Sequence, residues 1–177
     1  QRMFKTPDEV ATLRMAGRVT SEAHHEAMRL CRPGLTERDL QAAVEYVFKA
    51  GGAERVGYGS IVARGDNATI LHYHENSEPV QDGDLILIDA GAEVDYLTAD
   101  VTRCFPASGK FSAEQKALYE VVLDSQKQAV AACKTGTRFV EVHELATRIL
   151  VQGCIDLGLL HGTLDENVER ETYKRYY

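Results

Sequence analysis

Residues 71–105 read LHYHENSEPVQDGDLILIDAGAEVDYLTADVTRCF, and this stretch decides how the rest of the chain is organised. An apolar run at residues 85–88 ends abruptly in Asp89, and a second run, residues 96–105, carries Asp100. Short runs of this composition, bounded by turn residues, predict two strands. If the strands pair as a hairpin, the two aspartates, 100 − 89 = 11 positions apart, meet at one place on the sheet.

This pair of aspartates favours a metal site. Two carboxylates on the inner face of an apolar sheet raise the free energy of the fold unless a cation or hydrogen-bond donors compensate them. Oxygen ligands select hard or borderline divalent ions, so manganese, magnesium and zinc all fit, and carboxylates favour the first two. The alternative is that Asp89 caps a turn at the end of its strand and Asp100 is merely exposed. On the residues alone, this alternative stays open.

Composition and charge argue against several classes of protein. The chain has 177 residues, enough for one domain or a large part of one. A net charge of −7 without a basic cluster predicts no nucleic-acid partner, and no apolar run is long enough to cross a membrane. Serine hydrolase, zincin and nucleotide-binding motifs are missing. The 4 cysteines form no C-x-x-C pair, which predicts reduced thiols in a cytoplasmic protein.

Start and stop signals predict four long helices. Thr6 and Glu9 form a capping box around Pro7, which suits the first helical position. The predicted elements are helices from Thr6 to about residue 32, from Thr36 to about residue 50, from Ser112 to about residue 134 and over residues 140–157, with short strands at residues 58–63 and 69–72. The acidic residues 165–171 are interpreted as a solvated helix or loop.

A weak internal repeat relates the two halves of the chain. A long helix ending at Cys31 is followed by a second helix, and 133 − 31 = 102 residues later a helix ending at Cys133 is followed by another. Strands carrying both aspartates follow the first pair of helices, whereas the sequence stops after the second. If the repeat is real, we expect the last layer of a two-fold-like sheet to be missing here, together with further metal ligands.

Several short segments resemble the Xaa-Pro aminopeptidases (aminopeptidase P). These segments are ILHY at residues 70–73, DGDL at 82–85, IDAGAE at 88–93, DVTR at 100–103, FP at 105–106 and GKFS at 109–112. The resemblance runs from about residue 6 to the end, and the spacing of His72, Asp89 and Asp100 is its most specific part. It implies an α+β protein of the pita-bread (creatinase/aminopeptidase) fold, in which helices cover a pseudo-two-fold sheet.

The resemblance also implies an activity and roles for four residues. Asp89 and Asp100 look like two of the five ligands of a dinuclear Mn²⁺ centre, with other divalent ions possible. His72 looks like the catalytic histidine that contacts the substrate and stabilises the transition state, and Tyr58 looks like a substrate-binding residue near the substrate's N-terminal residue. The reaction implied is release of the N-terminal residue from peptides with proline in second position, by attack of a metal-bridging hydroxide.

The sequence departs from this family pattern at both ends. The other three ligands, a histidine and two glutamates, are expected beyond residue 177, and the N-terminal domain is expected before residue 1. Residues 1–177 are therefore expected to be a partial catalytic domain, truncated at the C-terminus and inactive alone, whose full-length parent is a homo-oligomer (dimer or tetramer). The alternatives are a prolidase acting on Xaa-Pro dipeptides and a non-catalytic pita-bread module that binds peptides.

Overall fold

Two capped helices open the chain. The structure is a computed structural model that describes residues 3–176. Helix α1, Pro7–Leu30, begins after Thr6, whose side chain accepts from the backbone N–H of Glu9 while the Glu9 carboxylate accepts from the backbone N–H of Thr6. Helix α2, Glu37–Ala50, begins after Thr36 with a capping box of the same kind. Both predicted helices are confirmed, because a capping box is a local device that needs no tertiary partner.

Within residues 3–176, six short strands form two antiparallel sheets of three strands each. They are β1 (Arg55–Val56), β2 (Ile61–Arg64), β3 (Leu85–Ala90), β4 (Ala92–Val94), β5 (Leu97–Thr98) and β6 (Val101–Pro106). One sheet has the order β1-β4-β5 and the other the order β2-β3-β6. Gly91 separates β3 from β4, so one continuous stretch of chain contributes a strand to each sheet.

The predicted pairing around the two aspartates is confirmed, with one difference. Strand β3 pairs with β6 so that Asp89 lies opposite Thr102 and Ala90 opposite Val101. The run at residues 96–105 is not a single strand, however. A turn at Asp95 and Tyr96, both with positive φ (48° and 63°), leads into β5, and Asp100 lies between β5 and β6.

The predicted strand at residues 69–72 is wrong. Gly65–Thr69 forms a short 3₁₀ helix, and His72 lies in a turn with a φ of 55°. The adjacent Tyr73 directs its hydroxyl to a buried carboxylate on α2 rather than pairing in a sheet. The other predicted strand in this region, residues 58–63, is β2 and begins only at Ile61.

Burial alternates along β3. Ile86, Ile88 and Ala90 are fully buried and belong to one core cluster with apolar residues of α1 and α2. Leu85, Leu87 and Asp89 are only partly buried, because successive side chains on a strand point to opposite faces. The helices therefore cover one face of this strand, and Asp89 lies on the other.

The chain divides after Lys110 into two compact units. The second contains α3 (Ala113–Ala132), α4 (Phe139–Asp156), a short α5 (Leu164–Glu169) and a final 3₁₀ turn, Thr172–Arg175. The predicted start of α3 at the Ser112 cap is confirmed, and α4 begins one residue before its predicted start. Gly153 permits close packing here, because a Cβ at that position would lie 2.2 Å from a methyl carbon of Val121 on α3.

The internal repeat is present in the boundaries of the helices. Helix α1 ends at residue 30 and α3 at residue 132, and Cys31 and Cys133 are the respective C-cap residues. Gly34 and Gly136 follow with φ of 95° and 92°, a left-handed conformation that favours glycine. Helices α2 and α4 then begin at residues 37 and 139. Each of these offsets is 102 residues (132 − 30, 133 − 31, 136 − 34, 139 − 37).

Candidate metal and substrate site

Asp89 owes its position to the register of β3. It lies one residue before the end of the strand, between Ile61 of β2 and Thr102 of β6, on the face that the helices leave uncovered. The side chain is half-buried, which leaves the carboxylate accessible from the sheet surface.

Asp100 reaches the same place because Gly91 allows a close approach of two backbone segments. A Cβ on Gly91 would lie 1.7 Å from the carbonyl oxygen of Ala99, a distance that no side chain could accept. The Gly91 carbonyl also accepts a hydrogen bond from the backbone N–H of Gly57 at 2.8 Å. The absence of a side chain at Gly91 therefore sets how near Asp100 comes to Asp89.

The hydroxyl of Tyr58 joins the two aspartates. Its oxygen lies 2.5 Å from Oδ1 of Asp89 and 3.1 Å from Oδ1 of Asp100. Burial, together with the hydrogen bond to Asp89 and the negative charge of both carboxylates, raises the pKa of Tyr58 well above its usual range. The phenol therefore stays protonated and offers one O–H to two carboxylates. One donor cannot compensate two negative charges, which leaves a place suited to a cation.

All four residues implied by the resemblance line one open cleft of about 350 Å³. The lining residues are Tyr58, Gly59, Ile61, His72, His74, Asp89 and Asp100. His74 also lines the cleft, although the sequence contains no motif that assigns it a role. Its spacing of two from His72 was the available signal, although spacing alone does not fix the direction of a side chain in a turn.

The oxygen donors of this cleft fit part of a divalent metal site. Carboxylates are the ligands that manganese and magnesium prefer, and zinc accepts them too. Within residues 3–176, however, no group of three or more His, Cys, Asp or Glu side chains lies close enough together to hold a metal ion. The pair Asp89 and Asp100 is therefore an incomplete ligand set in the part of the chain that the structure describes.

Two further features concern the thiols and the helices of the described residues. All four cysteines, among the described residues, are free thiols. None of the helices in that part of the chain is long and apolar enough to cross a membrane.

Comparison with known proteins assigns this chain to a family of metallopeptidases. The sequence model of metallopeptidase family M24 matches residues 11–173, and the chain belongs to that family. It is similar to the Xaa-Pro aminopeptidase of Escherichia coli (strain K12), with 41% identity over 176 residues that cover 99% of this chain and 40% of the relative.

Solved structures that are similar to this chain are also aminopeptidases. The aminopeptidase PepP of Pseudomonas aeruginosa matches with a TM-score of 0.98 and 50% identity, covering 100% of this chain and 40% of that one. Zinc-substituted E. coli aminopeptidase P in complex with product matches with a TM-score of 0.96 and 41% identity, covering 98% and 40%. These matches confirm the resemblance to aminopeptidase P and the pita-bread fold. The chain spans about 40% of the length of these relatives.

Proposed function

We propose that this chain forms part of the active site of a metallopeptidase that releases the N-terminal residue from peptides with proline in second position. One observation carries the proposal: the Tyr58 hydroxyl lies within hydrogen-bond distance of both Asp89 and Asp100, in a cleft that His72 also lines. Membership of family M24 and the similarity to Xaa-Pro aminopeptidases support it. The proposal applies to the protein at its natural length, since this chain spans 40% of its relatives.

Asp89 and Asp100 are the proposed metal ligands. We propose Mn²⁺ as the ion, because both proposed donors are carboxylates, and two ions per complete site, as the resemblance to aminopeptidase P implies. When bound, such ions lower the pKa of a water molecule and polarise the carbonyl of the scissile bond. The remaining ligands would come from residues outside those described, since the described ones supply no third ligand.

The cleft has the chemistry to hold a peptide by its N-terminus. The free α-amino group of a peptide carries a positive charge, and two carboxylates with one shared O–H attract it. Tyr58 would contact the N-terminal residue of the substrate while keeping its own proton. This attraction explains why a free N-terminus, rather than an internal peptide bond, would be selected.

His72 is the proposed catalytic residue. Its imidazole lines the cleft beside the aspartates, from a turn on the surface. A ring N–H there can donate to the carbonyl oxygen as negative charge develops in the transition state. Removing one donor of this kind lowers kcat by about 100-fold to 1,000-fold.

Prolidase is the second candidate within the same family. It would share this fold and both aspartates, and it would cleave only dipeptides. A non-catalytic peptide-binding module is the third candidate, and the presence of His72, Asp89 and Asp100 together argues against it. A homo-oligomer and a cytoplasmic location complete the proposal.

The test uses the protein at its natural length, loaded with Mn²⁺, on Xaa-Pro dipeptides, Xaa-Pro tripeptides and matched Xaa-Ala tripeptides. We expect cleavage of the Xaa-Pro tripeptide alone. Cleavage of the dipeptide only would favour prolidase, and no cleavage by the metal-loaded protein would favour the binding module. Asp89→Asn should abolish activity and lower the Mn²⁺ content measured by elemental analysis. Asp95→Asn is the matched control, because it removes the same charge from an exposed turn outside the cleft.

A further inference from the structure

Glu37 is a buried carboxylate that the site described above does not use. It is the first residue of α2, and its exposed fraction is 0%. Burying an ionised carboxylate is unfavourable unless hydrogen-bond donors replace the water it loses. Its position at a helix N-terminus, where the helix dipole favours negative charge, supplies only part of that compensation.

Four donors surround the Glu37 carboxylate. Oε1 accepts from the backbone N–H of Arg64 at 2.8 Å and from the side-chain amide of Asn67 at 2.9 Å. Oε2 accepts from the hydroxyl of Tyr73 at 2.8 Å and from the backbone N–H of Glu78 at 3.0 Å. These donors come from one continuous segment of the chain, with one backbone donor at each end and two side-chain donors between them.

The segment between the two backbone donors, residues 65–77, is here called the site loop. It consists of the 3₁₀ helix followed by turn and irregular backbone, and it carries both histidines of the cleft. His72 adopts a φ of 55°, which non-glycine residues hold only where their surroundings impose it. The next residue, Tyr73, is 5% exposed, and its hydroxyl donates a hydrogen bond to Glu37. A carboxylate on α2 therefore fixes the backbone next to the His72 imidazole.

We propose that Glu37 is a positioning residue, whose carboxylate holds both ends and the middle of the site loop and thereby keeps His72 in the cleft beside Asp89. Its effect on catalysis rests on the proposed function, whereas its effect on the loop does not. Glu37 is not expected to touch the substrate, since it is fully buried and does not line the cleft.

A second set of hydrogen bonds holds the site loop, so the proposal can be tested without unfolding the protein. The Asn76 side chain accepts from the backbone N–H of Val62 at 3.0 Å and donates to the Ser60 carbonyl at 2.8 Å and to Gln41 at 2.9 Å. These hydrogen bonds of Asn76 do not involve Glu37. The C-terminal part of the site loop therefore stays attached to β2 and α2 when the carboxylate is changed.

Glu37→Gln is the decisive variant because it keeps size and shape. Whichever way the amide is oriented, its NH₂ group faces a backbone N–H, that of Arg64 or that of Glu78, so a donor meets a donor. Val44→Ala is the matched control. Val44 lies on the same helix and is equally buried, but it packs in the apolar core and makes no contact of this kind with the site loop.

The first measurement is hydrogen exchange of residues 65–77 in the protein at its natural length, with the NMR signal of the His72 ring followed in parallel. In Glu37→Gln we expect exchange in the site loop to be at least about tenfold faster, with β3 unchanged, and the His72 signal to shift or broaden. Val44→Ala should change neither observable relative to β3. Unchanged loop exchange and an unchanged His72 signal in Glu37→Gln would overturn the proposal.

The second measurement is a double-mutant cycle with His72→Ala in the Mn²⁺-loaded protein. Glu37→Gln should lower kcat by about 10-fold to 100-fold with KM nearly unchanged, because a small displacement of a catalytic group is costly. In the His72→Ala background the same change should have less than about a twofold effect. An equal effect in both backgrounds would overturn the positioning role. If the wild type cleaves no peptide, the proposed function fails, and hydrogen exchange with the His72 signal decides the role of Glu37.

Discussion

The Tyr58 hydroxyl lies 2.5 Å from a carboxylate oxygen of Asp89, although the two residues are 31 positions apart in the sequence. This contact joins the segment before β2 to the end of β3 on the face that the helices leave uncovered. Because the same oxygen also lies 3.1 Å from Asp100, it is the point at which both acidic side chains meet.

Tyr58→Phe should destabilise the metal-free protein by about 1 kcal/mol, since the carboxylates lose a hydrogen-bond donor that water replaces only in part. Urea unfolding in the presence of a chelator measures the change. Tyr46→Phe is the control, because Tyr46 is 72% exposed on α2. Equal losses in the two variants would mean that the Tyr58 hydroxyl contributes nothing specific.

Gly91→Ala should lower the free energy of unfolding by about 1–3 kcal/mol, as expected when a side chain is forced into filled space. The new Cβ would collide with the Ala99 carbonyl and push Asp100 away, so Mn²⁺ binding should weaken as well. Gly17→Ala is the contrasting variant, since a Cβ there meets nothing within 4 Å on α1. It should stabilise the protein by about 0.5–1 kcal/mol. If Gly91→Ala leaves both stability and Mn²⁺ affinity unchanged, the close approach does not set the site.

Asp84→Asn should remove part of the acid sensitivity of folding. Burial alone would raise the pKa of Asp84, but hydrogen bonds from the Arg64 side chain and the Gln81 backbone, with the attraction of the guanidinium, hold it below its ordinary value. A lowered pKa in the folded state stabilises the protein above the pKa of the unfolded chain, about 3.9, and this contribution is lost as the pH falls further.

The wild type should therefore lose stability below about pH 4 more steeply than Asp84→Asn. At pH 7 the variant should be less stable by about 3 kcal/mol, because Arg64 is left without its partner. Thermal unfolding across pH 2.5–7 (roughly the range in which carboxyl groups titrate) measures both effects. Parallel pH curves for the two proteins would rule out this role of Asp84.

The 177 residues by themselves should bind Mn²⁺ weakly and cleave no Xaa-Pro peptide, because two carboxylates make an incomplete ligand set. Titration followed by the electron paramagnetic resonance of free Mn²⁺ should reveal no site tighter than about 0.1 mM. Asp89→Asn should remove whatever binding remains. Robust metal-dependent peptidase activity of these residues alone would contradict the assignment of ligands.

The sequence predicted the parts of the fold that local chemistry determines. Capping residues at Thr6, Thr36 and Ser112 located the starts of three helices, since each cap bonds to a residue only three positions away. The apolar run before Asp89 predicted β3, because such a run bounded by turn residues is an equally local signal. It did not predict that Asp89 lies on the face that the helices leave uncovered. His72 and Tyr58 entered the candidate site through resemblance to a family rather than through any local pattern.

The surroundings of Glu37 could not be predicted in this way. Its four donors lie between 27 and 41 residues away in the sequence, and nothing in residues 36–39 beyond a capping box indicates them. The strand wrongly predicted at residues 69–72 has the same origin. A short run following a turn favoured a strand, but a tertiary hydrogen bond from Tyr73 to Glu37 accompanies a different conformation.

The alternation of burial along β3 makes formation of the site inseparable from correct strand alignment. A shift of one residue relative to β2 and β6 would turn Asp89 into the helix-covered core and expose Ile86 and Ile88 to water. Such a misaligned state would combine a buried, unpaired charge with lost apolar burial, so it would hardly be populated. Burial of the apolar face of β3 thus selects the one register that places Asp89 on the open face.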